Sequence, residues 1–209
     1  MRIVAIADTH GFHRQLAIPD GDILIHAGDL TDMGEIEQLA DLAEYLDGLP
    51  HPFKVVVAGN HDFCLERDPE AARRILRHCT YLQDEAVVIE CLTIHGSPWS
   101  PRYKEWALSL ARGAPIKAKW DLIPPMTDIL VTHAAPRGIG DRVADGSEVG
   151  CEDLLAAIDR VRPRLHVYGH IHHSAGIYRR GQSVLINASV YDESYRPTRP
   201  AVIYDLVLP

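Results

Sequence analysis

The chain has 209 residues, 46% of them hydrophobic, and its 29 acidic against 21 basic side chains leave a formal charge of −8. That length suits one domain with a sizeable core, and no apolar run approaches a membrane span. An acidic surface argues against stable binding to nucleic acid or an anionic membrane, because phosphate backbones demand a basic face.

The first predicted strand is RIVAIAD, ending at Asp8, and the second is DILIHAGD, ending at Asp29. Ile36, Leu39, Leu42, Ala43 and Leu46 then recur at helical spacing until Gly48 and Pro50 stop the helix. FKVVVAGN is a strand ending at Asn60, and DPEAARRILRHC a helix with Asp68 as N-cap and Pro69 at its first position. AVVIECLTIHGSP carries a strand pair ending near His95. A Trp- and Pro-rich insertion at 96–125 follows, holding Trp99, Trp106 and Trp120, and reads either as packing or as a lid. DILVTH is a strand ending at His133, and GSEVGCEDLLAAIDRVRP a helix ending before Pro163. LHVYGH is a strand ending at His170, and further strands with a Pro-rich turn close the chain. The Val- and Ile-rich strands show little polar alternation, as expected of strands buried on both faces in an α/β protein. With no repeat and no linker, residues 1–209 are read as a single domain.

Cys64, Cys79, Cys91 and Cys151 form no CxxC pair, so neither a zinc ribbon nor a redox motif is indicated. Reduced thiols in a cytoplasmic protein are expected, with no secretory signal because Asp8 comes too early for an apolar core.

The strand ends share a property: they deliver Asp, Asn or His. In open α/β sheets ligands bind at the carboxyl ends of strands, so Asp8, His10, Asp29, Asn60, His61, His133, His170 and His172 would converge. Imidazole and carboxylate together are a ligand set for borderline divalent metals. His13, His26, His51, His78, His95 and His166 read instead as hydrogen-bonded or surface histidines, and His173 as lying outside the first ring of ligands.

In order along the chain stand DTHG, GDLTD, GNHD, THAAP and GHIH. These resemble the motifs of the calcineurin-like metallophosphoesterase superfamily. GDILIHAGDLTDMG, VVVAGNHD, GSPWSP and VRPRLHVYGHIH are similar in particular to its small metallophosphoesterase-domain-containing (MPPED-like) branch. The resemblance implies a four-layer α-β-β-α sandwich of two mixed sheets flanked by helices. It also implies two divalent metal ions (Mn, Fe, Zn or Mg). Asp8, His10 and His172 would hold the first, Asn60, His133 and His170 the second, and Asp29 both. His61 would donate a proton or bind phosphate, with Asp62 orienting its ring. Some members of the branch carry Gly at the first His of GHxH, whereas this chain keeps His170. NASV stands where many relatives have NPGS, which leaves the part played by Asn187 open.

The implied activity is hydrolysis of small phosphodiesters or cyclic nucleotides by a metal-bridging hydroxide. A phosphomonoesterase is the alternative, and a non-catalytic protein-binding scaffold the reading that the filled ligand positions disfavour. Asn60, His61, Trp99 and Arg137 are the candidate substrate contacts; Trp99, Tyr103, Trp106 and Trp120 of the insertion could stack on a base, and Arg102 and Arg137 could reach a phosphate or ribose. The bland alternative for the aromatics is that they pack the insertion onto the core.

Overall fold

A computed structural model describes residues 1–208. Its strands are β1 (Arg2–Ile6), β2 (Ile23–Ala27), β3 (Phe53–Val57), β4 (Thr80–Tyr81), β5 (Glu85–Ile89), β6 (Leu92–Ser97), β7 (Ser100–Pro101), β8 (Ser109–Leu110), β9 (Ile129–Thr132), β10 (Leu165–Tyr168), β11 (Gly176–Arg180), β12 (Ser183–Asn187) and β13 (Val202–Asp205). The α-helices are α1 (Ile36–Asp47), α2 (Phe63–Arg67), α3 (Pro69–Ile75), α4 (Ala114–Trp120) and α5 (Glu152–Val161).

The missing polar alternation has the expected cause. Successive side chains of a strand point to opposite faces, and here both faces are covered. Ile3 and Ala5 of β1, Ile23 and Ile25 of β2, and Val55 and Val57 of β3 turn inward. They meet Ile129, Val131, Leu165, Val167, Val184 and Ile186 of the opposite sheet. The alternate residues Val4, Ile6, Leu24 and Val56 pack outward on Leu39, Leu42 and Leu46 of α1 and Ala72 of α3. On the far side Leu130, Tyr168 and Leu185 pack on Ile116 and Trp120 of α4 and Leu154 and Ile158 of α5. The layers therefore run helix, sheet, sheet, helix.

One sheet has the order β13-β1-β2-β3-β4 and the other β11-β12-β10-β9-β6-β5. Both are mixed: β1, β2, β3 and β4 run parallel with β13 antiparallel, and β6, β9, β10 and β12 run parallel with β5 and β11 antiparallel at the edges. The sheets touch at one rim, where Ala7 N–H donates to Ala188 O at 2.9 Å and Val190 N–H to Ala7 O at 3.2 Å.

The Asp68 cap and the Gly48 stop are observed, but α3 ends at Ile75, short of Cys79, and α5 starts only at Glu152, within the predicted GSEVGCEDLLAAIDRVRP stretch. Asp68 caps α3, accepting from Ala71 N–H at 3.0 Å, and α1 ends at Gly48. Not foreseen are α2 and α4, at 5 and 7 residues too short for a clear period, and the two-residue strands β4, β7 and β8. The insertion holds β7, β8 and α4, and it buries Trp120 completely. Among the described residues no helix is long and apolar enough to cross a membrane.

Candidate metal centre

The site lies where β1, β2, β3, β9 and β10 end. Each strand finishes in a tight turn that swings a polar side chain to the rim. Asp8, His10, Asp29 and His170 all have left-handed backbones, with φ of 58, 45, 52 and 71°. Non-glycine residues rarely adopt that region, and such strain clusters at functional sites. Gly59 and Gly169 let the turns approach: a Cβ on Gly169 would lie 2.5 Å from Asp8 Oδ2, and one on Gly59 would strike Asp29.

Two clusters result, one of Asp8, His10 and His172 and one of Asp29, His133 and His170. In each, one ligand atom per residue lies within 4.8 Å of the others. His10 Nε2 and His172 Nε2 are 3.3 Å apart. Asp29 Oδ2 stands 3.8 Å from His10 Nε2 and 3.3 Å from His133 Nε2, between the clusters. Asn60 Oδ1 is 3.0 Å from His133 Nε2. A third grouping of His10, Asp32 and His61 overlaps the first.

The hydrogen bonds orient these rings. His133 Nδ1 donates to Ala27 O at 3.0 Å and His172 Nδ1 to Asp192 O at 3.2 Å, which turns both Nε2 atoms into the centre. Among the described residues His10 Nδ1 is buried without a partner. Ser189 Oγ donates to Asp8 Oδ2, and His170 N–H donates to the same carboxylate at 3.0 Å. Beneath the turns, two buried histidines act alike in the two sheets. His26 Nε2 lies 2.9 Å from Thr9 Oγ1, and His166 Nε2 lies 2.8 Å from Thr132 Oγ1. Burial pushes both down to about 3 and holds them neutral.

The electrostatics fit cations. Burial lowers His10 to about 4 against the pull of Asp29 and Asp8, and burial with the His133 charge lowers His170 to about 4. Both are neutral imidazoles, the form that ligates. At His133, burial opposes the cation, but Asp29 and Asp8 overcome it and raise the group to about 9. Burial alone would raise Asp29, yet His133 and His10 hold it well below the usual carboxylate range. A proton on His133 thus occupies the place that a divalent cation between Asp29, His133 and Asn60 would take. Imidazole and carboxylate donors around two adjacent points, with one ring nitrogen left unpartnered, fit a pair of divalent metals.

Residues 1–174 match the calcineurin-like phosphoesterase family. The chain belongs to that family. The human metallophosphoesterase domain-containing protein 1 is 37% identical over 233 aligned residues, which cover 100% of this chain and 72% of the human protein. A solved structure from Thermus thermophilus superposes with a TM-score of 0.62 at 17% identity, covering 89% of this phosphoesterase and 88% of that chain. A structure described as a novel archaeal phosphodiesterase reaches a TM-score of 0.53 at 14% identity, covering 98% and 93%. Those two establish the shared fold. The phosphoesterase is a metal-dependent hydrolase of phosphate esters with a binuclear divalent site.

Three candidates from the sequence stand elsewhere than expected. Asp62 does not reach the His61 ring. Its carboxylate accepts from Gly59 N–H at 2.7 Å, Leu30 N–H at 3.1 Å, and Thr31 N–H and Oγ–H at 2.8 Å each. It clips the GDLTD turn to the GNHD turn, and burial with the Asp29 charge pushes it up to about 6. His61 is oriented instead by the Asp32 backbone, its Nδ1 donating to Asp32 O at 2.5 Å. Trp99 lies outside the cavities at the centre. Its indole donates to Asp84 at 2.9 Å, and Lys119 sits over its ring. Arg137 is committed to Glu148, donating to its carbonyl at 2.7 Å.

Asp32, Ser189 and Tyr195 were not singled out. Asp32 acts through its backbone, which no side-chain pattern announces. Ser189 lies in the NASV stretch, where Asn187 Nδ2 donates to Ile171 O at 2.8 Å and Gly140 O at 3.0 Å and so ties down the GHIH turn. Tyr195 meets the His10 ring edge-on at 4.7 Å.

Proposed function

We propose that this phosphoesterase hydrolyses small phosphodiesters, cyclic nucleotides among them. The observation that carries the reading is a pair of cavities flanking the centre. One, of ≈ 200 Å³, is walled by Ser100, Pro101, Tyr103 and Trp106 of the insertion. The other, of ≈ 220 Å³, is walled by Val143, Ile171, Glu193 and Tyr195. Both share His61, His170 and His172, and among the described residues neither has Lys or Arg in its wall. A diester carries two organic arms and one negative charge. It suits two half-apolar lobes meeting at a cationic point, whereas a monoester dianion would leave one lobe idle and ask for further cations.

In this reading Asp8, His10 and His172 would hold one cation and Asn60, His133 and His170 the other, with Asp29 serving both. Bound divalent metals clamp phosphoryl oxygens and activate water. The chain's own contribution follows from its geometry. As proton donor His61 would act as the imidazolium: its Nδ1–H is held by Asp32 O, and the proton on Nε2, at the wall common to both cavities, would pass to the leaving oxygen and leave the ring neutral. Such proton donation is typically worth ~10²–10⁴-fold. Asn60 offers its amide to the phosphoryl group. Cytoplasmic location and a single domain over 1–209 belong to the same proposal, which neither Trp99 nor Arg137 serves.

The test is to strip the protein with chelator, restore Mn, Zn, Fe or Mg singly, and assay bis(p-nitrophenyl) phosphate, p-nitrophenyl phosphate and 2′,3′-cyclic AMP. Diester turnover should return with metal. Turnover of the monoester alone would replace the diester reading by the monoesterase one. Two bound metals with no turnover of any ester would replace both by the scaffold.

A further inference from the structure

We infer that Trp106 is a positioning residue for His61, so that the insertion at 96–125 is a working part of the site. The indole stacks on the imidazole with ring centres 4.2 Å apart and planes 29° from parallel. Phe63 meets the indole at a tilt of 35°, 5.9 Å away, and in turn carries the Arg67 guanidinium. The backbone on either side is fastened. Ala107 N–H donates to Asn60 O at 3.1 Å, Leu108 N–H to Glu66 Oε1 at 2.9 Å, and Ser109 Oγ to Trp106 O at 2.8 Å. The insertion is thus stapled to the residue before His61 and to α2 behind it. Ala107 and Leu108 are themselves buried.

The rest of the cage around His61 is incomplete without Trp106. Asp32 O holds one nitrogen, and the His10 ring meets the imidazole edge-on at 4.5 Å. A single hydrogen bond fixes a pivot and leaves rotation about it. A flat face at stacking distance removes that rotation. Nε2 then points at the leaving oxygen without reorganisation, and a misplacement of about 1 Å costs on the order of 10²-fold in rate.

The inference rests on the reading of His61 as proton donor, and the experiment separates the two. Trp106→Ala, Trp106→Phe, His61→Ala and the Trp106→Ala/His61→Ala double variant are assayed, metal-loaded, on 2′,3′-cyclic AMP, whose leaving group is an alkoxide, and on bis(p-nitrophenyl) phosphate. Trp106→Ala should lose on the order of 10²-fold in kcat on the cyclic nucleotide and little on the aryl diester. Trp106→Phe, which keeps a flat ring, should recover most of it. The double variant should be no slower than His61→Ala, because the two residues act as one unit. Independent, multiplying losses would overturn the inference while leaving the diesterase reading intact. No turnover by the wild type would overturn that reading and leave a second measurement to decide this one. In histidine-labelled protein, the His61 ring resonances should be shifted by the indole ring current, and in Trp106→Ala they should move and broaden. Unchanged His61 resonances in Trp106→Ala would overturn the positioning role whatever the activity.

Discussion

At the scale of the residue, Asp29 is the side chain on which most depends. It is 2% exposed and stands between both clusters, so Asp29→Ala removes negative charge from two cation sites at once. Elemental analysis should find both metals depleted and diester turnover abolished; a normal metal count would exclude the shared position. His61→Ala should lose ~10²–10⁴-fold on an alkoxide leaving group and far less on p-nitrophenol, which needs no proton. Equal losses would remove the donor role. His95, outside both clusters and both cavities, is 1% exposed with both ring nitrogens unpartnered among the described residues, and burial lowers it to about 4. The unfolded chain takes up this proton near 6.5 and the folded one only near 4, so stability falls as pH drops through that window. His95→Leu should remove up to about 3 kcal/mol of that acid sensitivity. Urea titrations at about pH 7 and about pH 4.5, either side of most of that window, measure it, and an unchanged difference between them would contradict the assignment.

At the scale of the element, each ligand is carried by a strand-to-loop turn, and each turn is braced from behind. The Thr9–His26 and Thr132–His166 pairs brace the turns after β1 and β9, and Asn187 braces the GHIH turn. Asp62 braces two at once through four donors. Buried donors left without a carboxylate each cost about 1–3 kcal/mol. Asp62→Ala should therefore lower the melting temperature sharply and weaken metal uptake together. A variant with wild-type melting that lost only alkoxide turnover would restore Asp62 to a role on His61.

At the scale of the whole molecule, the centre spans the gap between the sheets. Asp8, His10, Asp29 and Asn60 follow β1, β2 and β3, whereas His133, His170 and His172 follow β9 and β10. Cations bound there would add a further link between two layers held by the apolar core, the contact at Ala7 and the His133–Ala27 and His170–Asp8 hydrogen bonds. Binding to the folded state alone stabilises by about 2.7 kcal/mol at roughly 100 times the dissociation constant. Manganese or zinc should raise the melting temperature and chelator reverse it, with the response blunted in Asp29→Ala. A melting temperature indifferent to metal would mean that the clusters do not hold ions.

The chemistry was legible in the sequence because it is written in side-chain type at strand ends. Asp8, His10, Asp29, Asn60, His61, His133, His170 and His172 carry donor atoms, and buried strands of Val and Ile announce where each turn begins. Folding then brings them to one rim, as the strand direction requires. What the tertiary structure alone decided is orientation. Asp62 neighbours His61 in sequence but faces the GDLTD turn, while a backbone carbonyl of Asp32 accepts the His61 N–H. Trp99 and Trp106 are both insertion tryptophans, yet one is held by Asp84 and the other by His61. Side-chain identity is a local property of the chain, but which face of a turn it presents depends on contacts between residues 15 to 181 positions apart.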